Sequence, residues 1–235
     1  MIKILAKMID HSILHPMYGK KDLKEGCEVA QKYNVASVCV KPYMVSDAIN
    51  YLKGTDVIVG CVIGFPAGNS SIASKTFEAL EACKEGATEI DMVINVAKAL
   101  EGEWDYVSKE IKAVTEACHE YGAIIKVIFE TDYVHQDDNI IKLCEICTDI
   151  GVDYVKTSTG FGFVKGEDGK FTYTGATIPH LTLMKNYIGP NVKLKASGGL
   201  RTLDHLLVAQ EIGCSRCGAT ATETIMEEAI KRFQS

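Results

Sequence analysis

Short runs of β-branched and apolar residues alternate with amphipathic stretches of helical spacing from one end of this chain to the other. That alternation is the pattern of a parallel sheet whose strands are joined by helical crossovers. Strands are expected near Met8–His11, Ala36–Val40, Val57–Ile63, Glu89–Asn95, Ile124–Glu130, Tyr154–Thr157, Lys193–Ser197 and Arg216–Gly218. Between them come helices such as Lys21–Tyr33, Ser71–Glu85, Tyr106–Tyr121, Asn139–Ile150, Leu203–Ile212 and Thr222–Phe233. Eight β/α units in 235 residues match the stoichiometry of a TIM (β/α)8 barrel, whereas a doubly wound open sheet has fewer strands and a glycine fingerprint after an early one. No G-x-G-x-x-G stands there, and no low-complexity linker divides residues 1–235. The expectation is an α/β protein folded as a single TIM barrel domain.

Composition narrows the function. The net charge of −6 is spread without a basic block, which argues against a nucleic-acid partner. The first residues, Met1 to Asp10, have Lys3 and Lys7 breaking their apolar stretch and no small-residue cleavage site, so they do not read as a signal peptide. The longest apolar run, Val57 to Phe65, falls far short of the roughly 20 residues that cross a bilayer. A cytoplasmic protein without a membrane partner is expected. Nine cysteines, an odd number, fit reduced thiols. Cys144 and Cys147 have zinc-ligand spacing but share one helical stripe with Ile140, Leu143 and Ile150, which makes them core filler. Cys214 and Cys217 sit at a strand start, and complete structural units separate the two pairs. His11 and His15 are four apart, but Pro16 follows and no third ligand is near. No metal and no cofactor are expected.

The candidate chemistry lies at strand ends, where a barrel of this kind carries its active groups. Lys156 closes the run Gly151-Val-Asp-Tyr-Val-Lys156 and is followed by a small polar turn. Held among apolar walls, an amine loses hydration, its pKa falls, and it can attack a carbonyl to form an imine; the competing reading is an exposed lysine. In Glu89-Ile-Asp91-Met-Val-Ile-Asn95, period-two geometry puts Asp91, Val93 and Asn95 on one face and Ile90, Met92 and Ile94 on the other. Asp91 is therefore expected to point inward, where an unpaired carboxylate is costly. Lys195 has the same strand-end placement as Lys156, on what should be the neighbouring barrel strand. Two ammonium groups and one carboxylate can yield a neutral amine, a cation and an anion, or simply a structural ion-pair cluster. Glycine turns followed by helices, Gly198-Gly199-Leu-Arg201-Thr202 and Gly218-Ala-Thr220-Ala-Thr222, suit a phosphate cup that Gly160 and Gly162 could widen. A metabolite with a phosphate at one end and a carbonyl at the other fits this layout.

These segments resemble the 2-deoxyribose-5-phosphate aldolase family of class I aldolases. The likeness is carried, in the family's order, by Asp10-His-Ser-Ile-Leu14, Ser37-Val-Cys-Val40, Val62-Ile-Gly-Phe-Pro66, Glu89-Ile-Asp-Met-Val-Ile-Asn95, Lys126-Val-Ile-Phe-Glu-Thr131, Val155-Lys-Thr-Ser-Thr-Gly160 and Lys195-Ala-Ser-Gly-Gly-Leu-Arg-Thr202. The resemblance implies a metal-independent enzyme that cleaves 2-deoxy-D-ribose 5-phosphate into acetaldehyde and glyceraldehyde 3-phosphate, as a homodimer or higher homo-oligomer. It implies Lys156 as the Schiff-base lysine, Lys195 as the neighbour that tunes its pKa, and Asp91 as a partner in proton transfer. Asp10, Thr159, Gly160, Gly198, Gly199, Arg201, Gly218 and Thr220 are the implied substrate contacts, with a structural ion pair as the other reading of Asp10. Lys126 and Glu130 are expected to form a supporting charge network, and Cys39 to fill the core or open toward aldehydes.

The chain also departs from the family's pattern. Phe161 stands where some relatives carry a phosphate-reaching lysine, and Gly218-Ala-Thr-Ala-Thr222 where relatives often place two serines. Val164 to Tyr173 looks like a charged insertion, and the terminal Phe233-Gln-Ser235 lacks the tyrosine that some relatives carry. Two rivals keep the barrel and change the task. A sugar-phosphate isomerase or epimerase would need a carboxylate base or a metal cage, and a phosphosugar-binding barrel would need no neutral lysine.

Overall fold

The computed structural model describes residues 1–234; Ser235, the last residue of the tail noted above, lies outside them. The eight expected strands form β1 (Ile9–Ile13), β2 (Ser37–Val40), β3 (Ile58–Ile63), β4 (Glu89–Val93), β5 (Ile124–Ile128), β6 (Tyr154–Lys156), β9 (Lys193–Ser197) and β10 (Cys214–Ala219). They pair in parallel and close into a barrel in the order β1-β10-β9-β6-β5-β4-β3-β2. The charged insertion from Val164 to Tyr173 holds a small antiparallel hairpin, β7 (Val164–Lys165) with β8 (Phe171–Thr172).

Several strand ends differ from the sequence reading by one or two residues, and three of them have a clear local reason. β4 stops at Val93 because Asn95 caps the short helix Val96–Leu100, its side chain accepting the Lys98 N–H. β5 stops at Ile128, and Glu130 takes a left-handed backbone with φ of 54°, which ends the alternation of faces. β10 begins at Cys214, and its register against β9 slips between Cys214 and Arg216. A helix over Ile178–Tyr187, absent from the sequence reading, completes the crossover before β9; Thr177 caps it and Pro179 stands in its first turn. Both are ordinary helix-start signals.

Burial follows the period of each element. On β4, Ile90 and Met92 face the helices and join the main apolar core with Ile125, Val127, Val155 and Leu194, while Glu89 and Asp91 point into the barrel. Cys144 and Cys147 are buried in the same interlayer with Ile140 and Leu143, as their helical stripe requires. No helix among the described residues is long and apolar enough to cross a membrane.

One buried ion pair lies outside the barrel. Lys75, on the helix Ile72–Lys84, meets Glu110 of the helix Trp104–Glu120 at 2.7 Å, and neither side chain is exposed. Lys75 Nζ also donates to the carbonyl of Val93 at 2.7 Å, and Glu110 accepts the N–H of Asn95 at 2.8 Å. The pair thus fastens the end of the strand that carries Asp91 to two helices. Breaking it from one side leaves an uncompensated buried charge, so Lys75→Met should lower stability by about 3–5 kcal/mol in urea unfolding. A loss under about 1 kcal/mol would mean that Glu110 readily finds another way to be satisfied.

Candidate active site

The barrel interior holds charge where most cores hold only hydrocarbon. Asp91 is fully buried and receives three lysines: Lys126 Nζ lies 2.8 Å from Oδ1, while Lys156 Nζ and Lys195 Nζ each lie 2.7 Å from Oδ2. The register explains the convergence. Asp91 stands beside Lys126 across β4 and β5, and Lys156 beside Lys195 across β6 and β9. Because these residues share a face of their strands, their side chains all enter the same enclosed space.

Further charges lie behind this group. Lys126 also meets Glu89 at 2.6 Å, Lys195 meets Asp10 at 2.5 Å, and Arg216 bonds both Glu89 and Asp10. Ser37 donates a further hydrogen bond to Asp10 at 2.7 Å. Three carboxylates therefore face three lysines and an arginine inside one low-dielectric space. If every group were ionised, the cluster would hold one cation too many, and the least expensive relief is for one ammonium to lose its proton.

The pKa directions identify which one. Burial is the largest influence on Lys156 and lowers it; Asp91 opposes this, and the Lys195 cation lowers it further. Lys195 is also desolvated, but Asp10 and Asp91 outweigh that and hold it above the usual lysine range. Lys126 is raised in the same way by Asp91, Glu89 and Asp10 despite its burial. Asp91, although desolvated, is held well below the ordinary carboxylate range by its lysines. Loss of hydration, more than crowding by Lys195, is thus the first cause of the shift at Lys156.

Lys156 is the member of the cluster that reaches the cavity at the barrel mouth. It is 3% exposed and lies on the wall of a cavity of about 520 Å³ at the barrel mouth. Thr159, Gly160, Gly198, Gly199, Arg201, Gly218 and Thr220 line the same cavity, so the structure brings together seven of the eight expected substrate contacts. Asp10 is the exception: fully buried beneath Lys195, it has the ion-pair role that was its competing reading. The glycines permit close backbone approach. A Cβ on Gly198, whose φ is +87°, would lie 2.8 Å from Gly175 Cα, and the Gly198 carbonyl accepts the Ala176 N–H. Behind the two glycine turns, helices begin at Leu203 and Thr222 as expected.

The remaining expectations divide. Lys126 joins the charge network, but Glu130 does not; its carboxylate turns to Thr159, because the left-handed backbone there takes it off the Lys126 face. Cys39 fills a small apolar cluster with Leu14 and Val62, against which Phe65 and Phe161 pack, and burial pushes its thiol up to about 11. Phe161 packs edge-on against Phe65 with centroids 5.4 Å apart, so this departure from the lysine of some relatives builds an apolar wall. His11 bonds Thr222 Oγ1 at 2.8 Å, and His15 lies against Tyr18.

Two features escaped the sequence reading. Arg216 was visible as a strand residue, but its inward aim depends on the slip in β10. The hairpin contributes Phe171, Thr172 and Tyr173 to the cavity wall, stacks Phe163 on Phe171, and brings Tyr173 to Arg201; alternation of charged and aromatic residues was its only signal.

Known proteins resemble this chain over nearly its whole length. A family model described as DeoC/LacD family aldolase matches residues 4–219. A Rhodopirellula baltica protein named deoxyribose-phosphate aldolase is 46% identical over 97% of this chain and 90% of its own length. The crystal structure of a putative deoxyribose-phosphate aldolase from Coccidioides immitis superposes with a TM-score of 0.89 at 37% identity, covering 97% of this chain and 87% of that one. An Aeropyrum pernix deoxyribose phosphate aldolase, described as having a unique tetrameric structure, shares the fold with a TM-score of 0.86 at 24% identity, over 100% of this chain and 94% of that one.

The cluster yields a test with a definite sign. Asp91 raises Lys156 and Lys195 lowers it, so Lys195→Met should move the titration midpoint of Lys156 upward, whereas Asp91→Asn should move it downward. NMR of reductively methylated protein as a function of pH reads both. Unmoved midpoints would show that desolvation alone sets the amine.

Proposed function

The chain belongs to the DeoC/LacD family of aldolases, and from that premise we propose that it reversibly cleaves 2-deoxy-D-ribose 5-phosphate into acetaldehyde and D-glyceraldehyde 3-phosphate through a Schiff base on Lys156. One observation carries the reading: the amines of Lys156 and Lys195 share a single oxygen of Asp91 at 2.7 Å each, and the pKa of Lys156 alone among the cluster's lysines is lowered. A lone pair is thereby available next to a proton donor and a proton acceptor.

The steps follow from that placement. Neutral Lys156 adds to the C1 aldehyde of the open-chain sugar, and loss of water leaves an iminium. Asp91, acting through a water and with the Lys195 ammonium beside it, takes up the proton of the C3 hydroxyl. The C2–C3 bond then breaks with its electrons passing into the iminium, which gives an enamine and frees glyceraldehyde 3-phosphate. Reprotonation at C2 and hydrolysis release acetaldehyde and restore the amine. At the far end of the cavity, the backbone turns at Gly160, Gly198, Gly199 and Gly218, with Arg201 and Thr220, hold the phosphate. The iminium serves as the electron sink, a role that other enzymes give to a metal ion.

A cytoplasmic homo-oligomer acting on deoxyribose phosphate released in nucleoside breakdown completes the reading, and sedimentation gives the assembly directly. Acetaldehyde with borohydride should leave a reduced adduct on Lys156, located by peptide mass spectrometry. Lys156→Arg keeps the charge but removes the nucleophile, and should abolish both adduct and turnover. Substantial residual turnover in that variant would overturn the assignment.

A further inference from the structure

Glu130 is a buried carboxylate that the steps above do not use. It is 1% exposed, lies two residues beyond the end of β5, and has a left-handed φ of 54° that residues with side chains rarely adopt. Its carbonyl accepts the N–H groups of Tyr133 and Val134 at 2.9 Å each, so the backbone is held in that conformation from its C-terminal side. The next residue is tied to the turn after Lys156: Thr131 N–H donates to the Thr157 carbonyl at 3.1 Å, and its hydroxyl lies 2.9 Å from that of Ser158.

The side chain continues this lacing. One oxygen, Oε2, accepts both the N–H of Thr159 at 3.2 Å and its hydroxyl proton. The Thr159 oxygen then accepts the N–H of Phe161 at 2.9 Å, so one carboxylate fixes a relay of two residues on each of which the cavity depends. The other oxygen, Oε1, is buried without a hydrogen-bond partner among the described residues. A carboxylate left half-satisfied in a closed space is costly, and its persistence here calls for a role in the wall it supports.

We propose that Glu130 is a positioning residue of the active site, whose ionised carboxylate holds the turn Thr159-Gly160-Phe161 in the shape that receives the phosphate end of the substrate. The proposal rests on the reading of the cavity as a phosphosugar site. It adds a pH dependence to that site. Burial, helped by the nearby Asp132 charge and opposed by the Thr159 bonds and by whatever charge Lys156 retains, pushes Glu130 up to about 7. Those are the charged and hydrogen-bonding groups that face it from the loop after β5, from β6 and from the turn beyond. Above that pH the carboxylate grips Thr159 by charge-assisted hydrogen bonds; below it a proton neutralises the grip, and the turn loosens.

Glu130→Gln keeps the shape and an acceptor oxygen while removing the charge. In this variant KM for 2-deoxyribose 5-phosphate at pH 8 should rise about tenfold, the scale expected when a charge-assisted hydrogen bond becomes a neutral one. The parent's KM should rise as pH falls through about 7, and that rise should be missing from the variant. The substrate phosphate titrates near pH 6 in both proteins, so the difference between their profiles isolates Glu130. Thr159→Val should raise KM in the same direction, and adding Glu130→Gln to it should cost nothing more, because the two act through one contact. Borohydride trapping of acetaldehyde, which has no phosphate, should stay at the parent's level in Glu130→Gln. If the variant's KM and pH profile superimpose on the parent's while the parent traps an imine, this proposal fails alone. If the parent traps no imine on Lys156, the functional reading falls and takes the proposal with it.

Discussion

One carboxylate oxygen, Oδ2 of Asp91, serves two ammonium groups, and the rest of the site is organised around that sharing. An isolated carboxylate in this space would protonate, and isolated lysines would deprotonate. Brought together they stabilise one another's charged forms, but with one cation in excess. The other cations, Lys126, Lys195 and Arg216, are each matched to carboxylates from two strands. Lys156 is matched only to the oxygen that Lys195 also occupies, and it is the lysine at the cavity wall. The excess therefore settles on the group that faces the cavity.

A polar interior of this kind costs stability that other layers must offset. Charged pairs in a core are often no more stabilising than hydrocarbon of the same volume. The offset here is the apolar shell between barrel and helices, where Ile90, Met92, Ile125, Val127, Val155 and Leu194 present the opposite faces of the strands that carry the charges. Each strand thus does two jobs through its period of two. The ion pair of Lys75 and Glu110 belongs to the outer layer, yet it holds the carbonyl of Val93 and the N–H of Asn95, two and four residues beyond Asp91. The strand tip is fixed from outside as its side chain is fixed from within.

The sequence made the barrel and the buried cluster of Asp91, Lys156 and Lys195 legible because both depend on regular geometry. Alternation along Glu89 to Val93 put Asp91 inward, and the even spacing of parallel strands put Lys156 beside Lys195. What it hid depends on where regularity stops. Arg216 enters the cluster through a slip in the register of β10, and Glu130 leaves the Lys126 face because β5 ends two residues earlier. Asp10 could be placed near the substrate by likeness alone; only the closed structure shows Lys195 and Arg216 enclosing it. Neither a register slip nor a strand end has a composition of its own.

The two ends of the cavity differ in what they are made of, and this bears on the departures from the family's pattern. At the Lys156 end every group is a side chain at 2.5 to 2.8 Å from its partner, so the spacing tolerates little change of residue. At the other end the wall is mostly backbone, shaped by Gly160, Gly198, Gly199 and Gly218. Backbone N–H groups bind an anion whatever side chains flank them. Phe161 and Thr220 can therefore stand where relatives place a lysine or a serine, provided the turns keep their shape. If that end takes the phosphate, as proposed, the demand shifts from the residues lining it to those that hold the turns, the Gly175 to Gly198 backbone contact and the Glu130 to Thr159 bonds among them.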